Sequence, residues 1–237
     1  MKLLLLLPTL NEEGALKALA NEIPNEFEVL VVDGCSTDGT KDVVLKHNWQ
    51  FITQRYGRGK GCGIRTGMEE FLKTDCDYLG IIDADYTCDP KEVARILQAL
   101  KDDDFEVMLG SRDKANQLQY LGEFSVFVNW LISSMVSHVY KQKLSDVQTS
   151  YWLFTRDAVD RILPCLAASG FEIEYDLLYN AWRLGLKIGE TPVSIRRRIG
   201  KSKFSTYHRF KQIVYGLKYL FLSLGHLHGK RYFLQKA

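Results

Sequence analysis

The stretch Gly80-Ile81-Ile82-Asp83-Ala84-Asp85-Tyr86-Thr87 decides the fold of this chain. An apolar run from Tyr78 to Ile82 leads into it, and Pro90 with a helical pattern follows. This reads as a buried strand ending in two carboxylates two residues apart. On an extended chain residues i and i+2 point to the same side, so Asp83 and Asp85 would converge. They would do so at the carboxyl end of a strand, where open α/β sheets bind ligands. Two carboxylates that close repel unless a cation lies between them, and hard oxygen donors favour Mg²⁺ or Mn²⁺. A helix cap or a solvated loop would use the same pair, so the surrounding chain must decide.

On both sides of this stretch strand-like runs alternate with helical ones. Leu3 to Leu7 reads as a first strand, closed by Pro8-Thr9-Leu10-Asn11-Glu12-Glu13 and followed by a helix over 14–22. A second strand over 27–32 ends at Asp33, then come a loop over 34–40 and a helix to Lys46. A third short strand over 48–54 precedes Gly57-Arg58-Gly59-Lys60-Gly61-Cys62-Gly63, a glycine-rich basic loop opening a helix over 64–72. A helix over 91–101 and a strand over 106–110 that ends at Ser111-Arg112 complete the pattern. The alternation predicts an α/β fold, a mostly parallel Rossmann-like sheet covered on both faces.

Farther on, Phe124, Phe127, Val128, Leu131, Ile132, Met135 and Val139 recur at helical spacing and predict a core-facing stripe. A strand over 147–154, helices over 156–163 and 175–184, and a strand over 187–195 follow. Near the end, Phe210, Ile213, Val214, Leu217, Leu220, Phe221 and Leu224 form an apolar stripe, with His208, Arg209, Lys211 and Lys218 mostly off it. Such a basic amphipathic helix suits a membrane surface. Docking on the domain with a basic outer face fits the pattern equally.

A chain of 237 residues with 46% hydrophobic and 25% charged residues suits one sizeable soluble domain. Five cysteines with no CxxC pair argue against structural zinc and a disulfide framework, and for a reducing cytosol. The leucine run after Met1-Lys2 is too short for a secretion signal, and no stretch reaches the length that spans a bilayer. The net charge of +2 is unevenly spread. From Thr191 onward there are eleven Lys/Arg and no acid, which leaves 20 Lys/Arg against 29 Asp/Glu in the remainder. An acidic body with a basic tail points the tail at an anionic partner.

Four strand ends carry polar groups: Asn11/Glu12, Asp33, Asp83/Asp85 and Ser111-Arg112. In a parallel sheet they would line one rim. Carboxylates suit nucleoside hydroxyls or a metal, and Arg112 suits phosphate oxygens. The loop with Arg58 and Lys60 is neither a Walker A loop nor a dinucleotide fingerprint. It would meet a diphosphate through its cations and free N–H groups, or be a plain surface loop.

These residues together resemble a family of known enzymes. The chain is similar to family 2 glycosyltransferases with the GT-A fold, of the dolichyl- or polyprenyl-phosphate sugar synthase type typified by dolichol-phosphate mannose synthases. The likeness rests on Leu7 to Glu13, Val31 to Thr40, Gly59-Lys60-Gly61, Asp83-Ala84-Asp85, Gly110-Ser111-Arg112, Asp146 to Ser150, Phe171-Glu172-Ile173-Glu174 and Arg198 to Phe204. It implies that Pro8, Leu10, Glu12 and Asp33 contact the nucleoside, with Lys60 also on the donor. Asp83, Ala84 and Asp85 would hold metal and diphosphate, with Thr87 as a third ligand. Ser111, Arg112, Arg198, Ser202 and Lys203 would meet phosphate, and Glu172 or Glu174 would bind sugar hydroxyls or be surface charges. Three departures stand out: Gly34 where many relatives carry a second acid, Thr87 where mannose synthases often have Gln, and a basic amphipathic tail where some relatives have transmembrane helices.

The resemblance implies a catalytic domain over 1–204 and a membrane-associating segment over 205–237. The expected reaction is inverting transfer of a sugar from a nucleotide diphosphate sugar to dolichyl or polyprenyl phosphate on the cytoplasmic face. A soluble glycan acceptor is the alternative. A nucleic-acid-binding module would explain the basic tail but not Asp83 and Asp85. A nucleotidyltransferase would need a glycine-rich loop after the first strand, which Leu10 to Glu13 does not supply.

Overall fold

The computed structural model describes residues 2–202 and 206–228, with side chains beyond Ser202 described from Lys211 on. Lys203 and the expected domain boundary at 204/205 lie outside the described residues, as does Phe210's side chain. Seven strands form one sheet in the order β3-β2-β1-β4-β6-β5-β7. These are β1 (Leu3–Thr9), β2 (Glu28–Asp33), β3 (Gln50–Thr53), β4 (Tyr78–Ile81), β5 (Val107–Arg112), β6 (Trp152–Thr155) and β7 (Ile188–Val193).

The leucine run shows why the sheet is covered twice. Leu4 and Leu6 pack on one face with Ile64, Met68 and Phe71, while Leu3, Leu5 and Leu7 pack on the other with Leu16, Leu19 and Val44. A strand buried on both sides needs no polar alternation. The first face carries α3 (Lys60–Phe71), α6 (Glu123–Tyr140), α7 (Arg156–Ile162) and α8 (Ile173–Arg183). The second carries α1 (Glu13–Leu19), α2 (Thr40–Lys46) and α4 (Pro90–Asp102). A further helix, α5 (Lys114–Leu121), which no periodicity announced, is capped by Asp113 accepting from the Ala115 and Asn116 N–H groups.

One strand runs against the rest. β6 is antiparallel to both β4 and β5, with Ile81 opposite Trp152. Its beginning therefore lies at the rim where the parallel strands end, and Ser150 joins that rim. The expected parallel order would have put it at the far side.

The stripe expected on α6 is rotated. Phe124, Phe127 and Leu131 are exposed, and the buried face is Val126, Asn129, Ile132, Ser133, Val136 and Tyr140. Hydrogen bonding decides the rotation. Asn129 Nδ2 donates to Asp146 Oδ1 at 2.8 Å, and Ser133 Oγ accepts from the Val147 N–H at 3.1 Å. Leaving such buried partners unpaired costs more than exposing apolar side chains.

Helix α9 (Thr206–Leu227) docks on α6 and α8. Tyr219, Leu220 and Ser223 are buried, and Gly216 lets the backbone approach Ile132. Val214, Leu217, Phe221, Leu224 and Leu227 face outward. Among the described residues, eleven of the fourteen exposed large hydrophobics lie on α5, α6 and α9, with Phe221 at 70% and Phe124 at 63% exposure.

Candidate active site

The rim is built where β1, β2 and β4 stop. Thr9 lies opposite Asp33 in the β1–β2 register, and the Gly34 N–H donates to Thr9 O at 2.7 Å. Asp33 accepts from the N–H and hydroxyl of Ser36, which sets the turn after β2. Asn11, at φ +50°, accepts from the Thr37 N–H at 2.7 Å. Pro8, Leu10, Glu12 and Asp33 thus sit together at the ends of two neighbouring strands, with Leu10 exposed and Glu12 and Asp33 buried.

Strand β4 ends at Ile81, so Asp83 and Asp85 are not on extended chain as alternation required. A turn brings them to the site instead. Tyr86 takes φ +75°, its ring lies 4.2 Å beneath the Arg196 guanidinium, and its hydroxyl donates to Glu22 at 2.7 Å. Holding a tyrosine in this left-handed conformation costs energy, and the surrounding contacts supply it. Thr87 donates to Asp85 Oδ1 through its N–H at 3.0 Å and its hydroxyl at 2.5 Å. Its visible role is to orient Asp85. Ala84 is buried between the two aspartates.

Each aspartate faces a cation from a distant element. Lys60 Nζ lies 2.6 Å from Asp83 and 2.7 Å from Glu174, and Ser150 Oγ donates to Asp83 at 2.7 Å. Arg198 pairs with Asp85 and, at 2.5 Å, with Glu12. Its Nε is buried without a hydrogen-bond partner among the described residues. Burial pulls the Lys60 pKa down, but Asp83 and Glu174 outweigh it and hold the ammonium above its ordinary value. Burial likewise pushes Asp83 up, and Lys60 outweighs it, so the carboxyl sits below its usual range. At Glu174 burial wins and the pKa is raised despite Lys60. Among the described residues, Lys60 bridges Asp83 to Glu174, and Arg198 bridges Asp85 to Glu12. Two carboxylates and a hydroxyl are hard oxygen donors, so the residues fit Mg²⁺ or Mn²⁺.

The basic loop is not an open phosphate cradle. Helix α3 begins at Lys60, four residues earlier than expected, after Gly59 at φ +119°. The N–H groups of Gly61 and Cys62 donate to Gly170 O and Ser169 O, so they are taken. The loop over 167–172 is tied in turn by Asp176, which accepts from the Ala167 and Ala168 N–H groups. Glu172 Oε1 accepts from the N–H groups of Ser169 and Gly170, which anchors the loop. A Cβ on Gly61 would stand 2.4 Å from Ala168 O. Gly61→Ala should therefore lower stability by about 1–3 kcal/mol, read as a drop in melting temperature. An unchanged melt would show that the close approach is dispensable.

Two expected phosphate contacts, Ser111 and Arg112, are held by the loop over 145–150. Arg112 donates to Asp146 through Nε at 2.6 Å and Nη2 at 2.8 Å, and to Gln148 O at 2.7 Å. Ser111 Oγ lies 2.5 Å from Ser145 Oγ. Arg112 is an anchor of the 145–150 loop, with the fork geometry that matches a carboxylate. In the tail run, Arg196 pairs with Glu22, Arg198 with Asp85 and Glu12, and Arg197 is exposed. Ser202 is exposed. The sequence reading assigned no role to Asp146 or Ser150; both lie in the run Asp146-Val147-Gln148-Thr149-Ser150 quoted for the resemblance, the only signal that marked them.

Comparison with known proteins bears on the family and the fold. The model of the family described as Glycosyl transferase family 2 matches residues 5–163. The low-salt glycan biosynthesis hexosyltransferase Agl6 of Haloferax volcanii is 26% identical over 216 residues, covering 85% of this chain and 49% of that protein. This chain thus spans about half the length of that relative. The undecaprenyl-phosphate mannosyltransferase of Micrococcus luteus is 28% identical over 217 residues, covering 86% of this chain and 88% of the relative. Among solved structures, glucosyl-3-phosphoglycerate synthase from Mycobacterium tuberculosis, with Mn²⁺, uridine diphosphate and glucosyl-3-phosphoglycerate, superposes with a TM-score of 0.72. It is 18% identical, and the match covers 92% of this chain and 79% of that one. That likeness is one of fold, the GT-A fold. A seven-stranded α/β sheet, paired aspartates at its rim and a family model over residues 5–163 lead to one conclusion: the chain belongs to glycosyl transferase family 2.

Proposed function

We propose that this chain moves a hexose from a nucleoside diphosphate sugar to a polyprenyl or dolichyl phosphate, with inversion at the anomeric carbon. The observation that carries this reading is the meeting of Glu12, Lys60, Asp83, Asp85 and Arg198 at one rim. Hydroxyls of a nucleoside would find Asp33 and Glu12. Lys60 and Arg198 would face the diphosphate, and Glu174, buried beside Lys60, would meet the sugar. Asp83 and Asp85 would hold Mg²⁺ or Mn²⁺, which supplies Lewis-acid stabilisation of the leaving diphosphate when bound. An acceptor phosphate oxygen attacks C1, the C1–O bond to the diphosphate breaks, and the nucleoside diphosphate departs with the electron pair. A phosphate monoester, with a second pKa of ~6, is mostly dianionic at neutral pH and needs no general base.

The names of the relatives support the lipid acceptor, as does the exposed apolar surface of α5, α6 and α9. Among the described residues no helix is long and apolar enough to cross a membrane. In this reading residues 1–204 carry out transfer, and the segment over 205–237 with α6 rests on the cytoplasmic face of an anionic bilayer. Vesicle flotation tests that contact. Binding to anionic vesicles should weaken as salt rises, and Phe221→Glu should weaken it about tenfold or more. Binding that ignores both salt and this substitution would refute the surface assigned.

The decisive assay combines purified protein, Mg²⁺ or Mn²⁺, a short polyprenyl phosphate, and GDP-mannose, UDP-glucose or UDP-N-acetylglucosamine, with products read by mass. The expected products are a polyprenyl-phosphate hexose and free nucleoside diphosphate. Transfer to an oligosaccharide instead would favour a soluble glycan acceptor.

A further inference from the structure

We propose that Lys60 and Arg198 are positioning residues that stand in for the divalent cation on Asp83 and Asp85, and hand over to it only when a nucleotide diphosphate arrives. The inference rests on the donor reading above and adds an order to it: metal and nucleotide are captured together.

Both aspartates already have a cationic partner from the chain. Lys60 Nζ is shared by Asp83 and Glu174 at 2.6 and 2.7 Å, and its side chain is 13% exposed. Arg198 is shared by Asp85 and Glu12. Each cation thus bridges one aspartate of the pair to one outlying glutamate. A divalent ion that takes an oxygen of Asp83 must lie within a few ångströms of the ammonium, and like charges at that range repel strongly. Either the lysine leaves or the metal does.

The backbones do not allow a large retreat. Lys60 follows Gly59 at φ +119°, and the next two N–H groups are bonded to Gly170 O and Ser169 O. The segment bearing Arg198 is pinned on both sides, the Arg196 N–H to Thr87 O at 2.9 Å and the Ile199 N–H to Asp85 O at 3.1 Å. The exchange is therefore a change of side-chain partner. Glutamates 174 and 12 remain as one anchor for each cation, and the second anchor must be new oxygens. A diphosphate supplies them within the same rim. It would also satisfy the buried Nε–H of Arg198, which has no hydrogen-bond partner among the described residues. Buried donors left unpaired are rare and call for such an explanation. Because the diphosphate draws off the cations that oppose the metal, each ligand raises the other's affinity, and the coupling is reciprocal.

The test is Mn²⁺ binding to the full chain, read by electron paramagnetic resonance with no nucleotide present. Lys60→Met removes the stand-in and should tighten Mn²⁺ binding by about tenfold or more, within the usual range of coupling between sites. Glu174→Gln leaves Lys60 with Asp83 alone and should weaken it. The opposite signs separate this device from a general loss of structure, which would weaken both. UDP and GDP are then titrated with Mn²⁺ into the parent and Lys60→Met. The parent should show a larger gain in Mn²⁺ affinity on nucleotide addition than the variant. Should the parent bind either nucleotide with Mn²⁺ while Lys60→Met holds Mn²⁺ alone no more tightly than the parent, the stand-in role is overturned and the donor reading survives. Should the parent bind neither nucleotide with Mn²⁺, the donor reading falls and takes this inference with it.

Discussion

Asp85→Asn is expected to reduce transfer by about a hundredfold to a thousandfold, the usual cost of removing one group that stabilises developing charge. The substitution keeps the shape of the side chain and removes its charge. Asp85 Oδ1 is oriented by the N–H and hydroxyl of Thr87, while the carboxylate's other oxygen faces Arg198. An amide there would present N–H groups to a guanidinium or lose an oxygen of the proposed metal site, whichever way it turned. The backbone turn would persist, because it is set by Tyr86, Arg196 and Glu22 rather than by the charge of Asp85. Steady-state transfer, Mn²⁺ stoichiometry and a thermal melt measured together check this. Full activity in the variant would remove Asp85 from the chemistry.

The second large effect concerns folding. Asp146→Ala should destabilise the protein by roughly 3–5 kcal/mol, because it leaves the half-buried Arg112 guanidinium without its counter-charge. Asp146 is fully buried and accepts from the Arg112 backbone N–H, its Nε and Nη2, and Asn129 Nδ2. For a chain of this size roughly 2–4 °C is lost per kcal/mol, so the melting temperature should fall by about 6–20 °C. A shift of only a degree or so, with transfer abolished, would return Arg112 to the phosphate-binding role that its sequence position suggested. A large shift identifies it as the pin that fixes β5 to the loop entering β6.

Much of this architecture was legible in the order of residues. Leu3 to Leu7 is apolar at every position because sheet faces on both sides are covered, and helical and strand-like runs alternate around it. The two carboxylates after β4 were visible as a pair at a strand end, where open α/β sheets place their ligands. Local spacing also marked α9, whose outward stripe of Val214, Leu217, Phe221 and Leu224 follows the helical repeat.

Other features had no local signature. The antiparallel entry of β6 depends on pairing with strands more than 40 residues away, and it alone brings Ser150 to Asp83. The rotation of α6 follows from Asn129 and Ser133 finding Asp146 and Val147, which apolar periodicity does not register. Lys60 meets Glu174 across 114 positions, and Arg198 meets Glu12 across 186. Composition and spacing determined that this chain folds as a covered sheet with acids at its rim. Which cation balances which acid was left to the tertiary structure, because charge pairing is decided by distance in space and is blind to distance along the chain.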